Sequence, residues 1–220
     1  MMTKPVPIKV DVVSDVVCPW CYIGKRRLER AIALVPELDV SVRWHPFFLN
    51  PWVPREGISR DDYLTSKFGS VDAYQRIAQR VVDEAAGEGL VYRPESVRRQ
   101  PNTIDCHRLI LWADAIGRAA ALKQRLMDLY FRDGGDLTDR DVLVRAAAEC
   151  GLDAEETRRR LGSDEDVALV SQAAQQAADA GVSGVPTFVL ADRYALSGAQ
   201  PAEQLARALR QVAAEAAQAG

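Results

Sequence analysis

Ile8-Lys9-Val10-Asp11-Val12-Val13, followed by Cys18-Pro19-Trp20-Cys21, is the stretch whose reading decides the fold. The first six residues are rich in β-branched side chains and read as a strand, while Tyr22 to Leu34 carries helix formers. Two thiols separated by two residues therefore fall at a strand-to-helix turn, where they form a redox couple. Unpaired backbone N–H groups and the positive end of the dipole stabilise an anion at a helix start, so the Cys18 thiolate is expected to be activated. Cys21, one turn further in and more buried, is expected to resolve the mixed disulfide that Cys18 forms. Pro19 suits the first helical turn because it has no N–H to leave unpaired. Trp20 is costly at a turn unless it covers the helix or offers a flat apolar surface to a partner. It brings no positive charge to Cys18, so the thiol pKa is expected below that of a free cysteine without the extreme depression of the strongest oxidants.

Working outward, Asp39 to Leu49 reads as a second strand that runs into Asn50-Pro51-Trp52-Val53-Pro54, a segment unable to continue a sheet. From Ser59, with Asp62 in a capping arrangement, the pattern turns helical. It continues through Val71–Ala86, Thr103–Ile116, Ala119–Phe131, Asp139–Cys150, Asp153–Leu161 and Asp164–Ala180, and Gly117, Gly134-Gly135, Gly151 and Gly181 fall where helices should stop. Strand character returns only at the carboxyl end, in Thr187–Leu190 and Tyr194–Ser197 joined by Ala191–Arg193, before a helix over Pro201–Ala217. The order β-α-β, helices, β-β-α predicts an α/β fold of residues 1–54 and 182–220 with an inserted all-helical domain over residues 55–181.

At 220 residues, 48% hydrophobic and 27% charged, the composition is that of a globular protein, and a net charge of -3 gives no reason to expect nucleic acid as a partner. Met1 to Pro7 develops no secretory pattern and no stretch reads as a transmembrane span, so the expectation is a cytoplasmic protein with no membrane partner. Thiols are kept mostly reduced there, which favours a redox-active CxxC over a structural bridge. Zinc is not expected: Cys106 and His107 are adjacent, Cys150 stands alone, and no second pair has ligand spacing.

Gly184-Val185-Pro186-Thr187-Phe188 leads into the returning strand. Together with Cys18-Pro19-Trp20-Cys21-Tyr22-Ile23-Gly24, Trp44 to Pro51, Asn102-Thr103 with His107-Arg108-Leu109, and Ser197-Gly198-Ala199-Gln200-Pro201, it resembles the DsbA-like thioredoxin-fold oxidoreductases of the FrnE-type cytoplasmic branch. The resemblance covers nearly the whole chain. It implies a thioredoxin-like fold, Cys18 as nucleophile, Cys21 as resolving thiol, and Pro186 as a cis-proline beside the CxxC. A cis bond there leaves the Val185 backbone available for strand-like pairing with a bound peptide or thiol and keeps an N–H away from the sulfur.

The expected activity is thiol–disulfide exchange or isomerisation with protein or small-molecule thiols and disulfides, by a monomer or homodimer. No metal or organic cofactor is required, and glutathione is a candidate substrate or redox partner. The enzymatic alternative is a glutathione-dependent isomerase or transferase of the 2-hydroxychromene-2-carboxylate isomerase or kappa-class type. Those relatives typically carry serine where this chain has Cys18. A chaperone-like module using Trp20 is a third class. Pro19, Trp20, Val185 and Asn50 are the expected substrate-binding residues, Asn50 with Pro51 and Trp52 by fold analogy. His45 reads as a strand-end residue and His107 as part of a hydrogen-bonded helix face with Asp105 and Arg108. Arg98-Arg99 is a candidate contact for an acidic substrate, and Cys106 and Cys150 read as buried hydrophobes or, more sharply, as a second redox pair.

Overall fold

Val6–Ser14 (β1) is the strand on which the sheet is built. The computed structural model describes residues 6–219, so Met1–Pro5 of the amino-terminal segment read above lies outside the described residues. β1 pairs in parallel with β2 (Leu38–Pro46) along its whole length, from Val6 opposite Leu38 to Ser14 opposite Pro46. A parallel pair needs a crossover, which α1 (Pro19–Ala33) supplies. On its other side β1 pairs antiparallel with β5 (Thr187–Leu190), which turns back into β6 (Tyr194–Ser197). The order β2-β1-β5-β6 joins the two ends of the chain in one sheet and sets Val13 beside Thr187. β2 stops at Pro46, short of the expected Leu49, because proline has no N–H to continue a ladder.

Between β2 and β5 run α2 (Arg60–Phe68), α3 (Val71–Gly87), α4 (Ile104–Asp114), α5 (Ala119–Phe131), α6 (Arg140–Glu149), α7 (Ala154–Leu161) and α8 (Val167–Asp179). Ser59 caps α2 by accepting from the Asp62 N–H, and Asp153 caps α7 by accepting from Glu156, each satisfying a donor the helix leaves free. One expectation is corrected here. Strand also occurs within this region, as the two-residue antiparallel pair β3 (Ile58–Ser59) and β4 (Arg99–Gln100), too short to leave a periodicity in the sequence. After β6, α9 (Ala202–Ala219) packs beside α1. Among the described residues no helix is long and apolar enough to cross a membrane.

Two buried clusters organise the molecule. The first belongs to the sheet: Ile8, Val10 and Val12, alternate residues on one face of β1, pack with Leu28 and Ala31 of α1, Phe188, and Leu205 and Leu209 of α9. The second gathers Val16, Cys18, Cys21, Tyr22 and Ile23 with Leu109, Leu122, Leu126, Tyr130 and Phe131 of the helices that follow β2. Each fully buried side chain of this size contributes about 1.5–3 kcal/mol. α1 therefore straddles the cores, its first turn in the second and Leu28 in the first.

The segment after α7 is pinned by Arg108, whose side chain is wholly buried. Its guanidinium donates to Asp105 Oδ1 at 2.7 Å and to the carbonyls of Glu165, Arg160 and Ser163 at 2.6, 2.7 and 2.9 Å.

Candidate active site

Cys18 occupies the N-cap of α1 in an extended conformation, with Pro19 at the first helical position, as a proline requires. The Cys18 carbonyl accepts from Cys21 N–H at 3.0 Å and Tyr22 N–H at 3.2 Å, closing the first turn so that the two thiols lie on one side of it. Cys18 is 4% exposed and Cys21 1%. The Cys21 thiol, as donor, is the main influence holding the Cys18 pKa below its ordinary value. Burial opposes this, the backbone N–H groups of Cys21 and Trp20 assist, and the Asp15 carboxylate opposes. The expected direction is present, but the neighbouring thiol outweighs the helix-start N–H groups to which the sequence reading assigned it. Burial, followed by the hydrogen bond to Cys18, pushes the Cys21 thiol up.

From the far end of the chain, the Val185–Pro186 bond is cis, and the Cys18 thiol donates to the Val185 carbonyl at 3.6 Å. Gly24, one turn past Cys21, lets α1 approach this loop: a Cβ there would stand 2.8 Å from Pro186 Cγ and 3.3 Å from Phe188 Cζ. A proline ring and a buried phenyl give little ground. Gly24→Ala is therefore expected to cost about 1–3 kcal/mol through overpacking. Denaturant titration checks it, and an unchanged midpoint would show that the contact relaxes freely.

Cys18, Pro19, Trp20 and Val185 line a cleft of about 560 Å³, together with Tyr63, Phe68, Ile77, Tyr92 and Phe131. That volume is in the range of small-molecule sites. Among the described residues, four cationic ones, Arg60, Lys67, Arg76 and Arg80, line the cleft and no carboxylate does. Trp20 is half-buried against the second core, with the Arg80 guanidinium 6.0 Å from its ring centroid. Asn50 is buried and stands behind the cleft; its Oδ1 accepts from Lys67 Nζ and from Tyr63 Oη, two residues that do line it.

Behind the thiols lies a polar cluster that the sequence reading missed. The Asp15 backbone N–H faces the Cys21 sulfur, while its carboxylate sits 3.2 Å from His107 Nε2 and accepts from Leu49 N–H at 2.9 Å. His107 is thus buried against Asp15 and is not part of the Asp105–Arg108 helix face first expected, since Asp105 is engaged by Arg108 and Arg55. Lys123, 1% exposed, lies 5.3 Å from the Trp44 ring centroid; burial brings its pKa down to about 8, with Cys21 and Asp15 opposing. Asp15 could have been suspected from its place three residues before Cys18, whereas nothing in the sequence around Lys123 pointed inward. His45 pairs with Asp11 at 2.7 Å. Arg99 donates to the Glu56 carbonyl, and neither it nor Arg98 lines the cleft. Cys106 is fully buried and Cys150, at the end of α6, partly so; burial pushes both thiols up. Among the described residues no group of three or more His, Cys, Asp or Glu is placed to hold a metal ion.

The family described as the DSBA-like thioredoxin domain matches residues 9–210. The chain belongs to that family. This DSBA-like chain is similar to the probable DsbA oxidoreductase SCO1869 of Streptomyces coelicolor, at 38% identity and a TM-score of 0.85, over 93% of this chain and 89% of that one. It is also 26% identical to YwbO of Bacillus subtilis, an uncharacterized protein, over 84% of this chain and 88% of the relative. The fold is shared with the cytosolic disulfide reductase DsbM of Pseudomonas aeruginosa, solved with glutathione, at 20% identity and a TM-score of 0.65 over 93% and 98% of the two chains. A 2-hydroxychromene-2-carboxylate isomerase has the same fold at 16% identity and a TM-score of 0.71, over 96% and 99%. Membership in the DSBA-like family makes this chain a thiol–disulfide oxidoreductase in the broad sense.

Proposed function

We propose that the protein exchanges disulfides with thiol substrates in the cytoplasm, using Cys18 as nucleophile and Cys21 as resolving thiol, with no bound cofactor. The Cys18 thiolate attacks one sulfur of a substrate disulfide, whose S–S bond breaks and releases the other sulfur as a thiolate that takes up a proton. Cys21, losing its proton, then attacks the Cys18 sulfur of the mixed disulfide and expels the second substrate thiol. The substrate gains two electrons and the Cys18–Cys21 pair loses them; the reverse sequence oxidises a dithiol, and the surrounding redox poise selects the direction. The observation that carries this reading is a thiol pair of opposite pKa tendency, with the lowered member on the wall of a ligand-sized cleft. Val185 presents its carbonyl beside Cys18, where an extended substrate can pair. The cytosolic setting and the glutathione bound to DsbM support a cytoplasmic role and a small-thiol partner.

Retention of both sulfurs favours exchange over glutathione-dependent isomerisation, which needs no resolving thiol. Cys21→Ser separates the two. It is expected to accumulate a substrate mixed disulfide on Cys18, visible as a mass increase that reductant removes, and to lose most multiple turnover. Full turnover of an aromatic substrate by Cys21→Ser, with no adduct, would support the isomerase instead.

A further inference from the structure

Lys123 carries a charge that the fold leaves without a partner. It is 1% exposed, and among the described residues its ammonium has no hydrogen-bond acceptor and no carboxylate at ion-pair distance. The Trp44 ring, with its centroid 5.3 Å away, supplies part of the compensation. Withdrawing an unpaired charge from water is costly. Lys25, also buried, shows how a structural ammonium is treated in the same chain: it donates to the Glu29 carboxylate and to Gln124 Oε1 at 2.9 Å.

Lys123 lines a cavity of about 250 Å³ between β2 and the helices α4, α5 and α8, which shares no lining residue with the cleft that holds Cys18. The other cations of the cavity are already engaged. Arg43 and His45 both hold the Asp11 carboxylate at 2.7 Å, and His107 meets Asp15. Among the described residues Asp114 is the one carboxylate of the lining, and it stands exposed at the end of α4. Much of the remaining wall is apolar: Ile110 and Val170 are buried, while Leu111 and Leu169, 37% and 52% exposed, leave aliphatic surface open to solvent. Exposed leucines on two helices beside an unpaired, recessed ammonium make an amphipathic site.

We propose that this cavity binds a small monocarboxylate with an apolar body, its carboxylate on Lys123 and its hydrocarbon against Trp44, Ile110, Leu111 and Leu169. A carboxylate supplies the acceptor that the ammonium lacks, and the charge-assisted bond forms where little water competes. The volume lies just under the usual range of small-molecule sites, so the body is short. An ammonium left with 1% exposure admits the end of a slender molecule and not the surface of a folded protein. The site takes no part in electron transfer, and its test does not depend on exchange at Cys18.

Hexanoate and hexanol have chains of the same length and differ in charge at one end. Titration of each, followed through the indole N–H signals of Trp44, in this cavity, and of Trp20, in the Cys18 cleft, measures affinity and locates the ligand together. Trp44→Phe and Trp20→Phe assign the two signals. Hexanoate is expected to move the Trp44 signal, to leave the Trp20 signal in place, and to bind about 10-fold more tightly than hexanol. K123M, which removes the charge and keeps much of the stem, should bring that ratio close to one. Replacing an unpaired buried charge by an apolar side chain of similar length is compatible with folding. No movement of Trp44 with about 10 mM hexanoate, equal binding of acid and alcohol, or a ratio that survives in K123M overturns the proposal. Movement of the Trp20 signal alone would place the acid in the Cys18 cleft and overturn it too. If K123M does not fold, A173F, which fills the cavity from α8, decides instead: hexanoate should no longer move the Trp44 signal, and an undiminished shift overturns the proposal.

Discussion

Cys18→Ser is expected to reduce disulfide exchange to the uncatalysed rate, a loss on the order of 10³-fold or more, because the proposed mechanism makes its thiolate the attacking group and offers no other thiol to replace it. Cys21 is more enclosed and its pKa is raised, Cys106 is sealed in the core, and Cys150 stands at the end of α6 without access to the cleft. The measurement is reduction of a small disulfide followed through thiol release. Residual turnover within tenfold of the native rate would place the nucleophile elsewhere. The pH dependence has a definite sign. Only the thiolate reacts, so alkylation of Cys18 should rise with pH and reach half its maximum below the value of about 8.5 typical of a free cysteine. Removing the Cys21 donor by Cys21→Ala should move that midpoint upward, since the thiol hydrogen bond is its main cause. A midpoint that stays in place would transfer the credit to the backbone N–H groups.

The largest effect on stability is expected from Arg108→Met. Methionine retains much of the stem but leaves the Glu165, Arg160 and Ser163 carbonyls without their shared donor, while Asp105 keeps only Arg55. Breaking a buried, charge-assisted network in this way costs about 3–5 kcal/mol. Against a typical total of about 5–15 kcal/mol, that is a large fraction. Guanidinium titration followed by circular dichroism measures it. A loss below about 1 kcal/mol would mean that water enters and satisfies the carbonyls.

Much of the architecture was legible because its signals are local. The β-branched run before Cys18, the capping at Ser59 and Asp153, the glycines at helix ends and the hairpin around Asp192 each fix a short segment by its own chemistry. Tertiary juxtaposition hid the rest. Asp15 and His107 are 92 positions apart and meet only because the second core forms. Lys123 looks like an ordinary helix cation until burial strips it of solvent. The β3–β4 pair rests on two residues from each strand, below the length at which alternation can be read. Asn50 was singled out for its position after the second strand, yet the cleft is lined by the residues it holds.

The straddling of two cores by α1 bears on how such a redox couple can diversify. Cys18 and Cys21 share packing with Leu122, Leu126 and Phe131, and Tyr22 donates to Asp128, so the shape and dielectric around the sulfurs are partly written in a helix far along the chain. A substitution there can alter the balance between thiol and disulfide while the four-residue motif stays intact. Proteins with the same CPWC signature need not have the same potential, and comparison of their α5 helices is where the difference should first be sought.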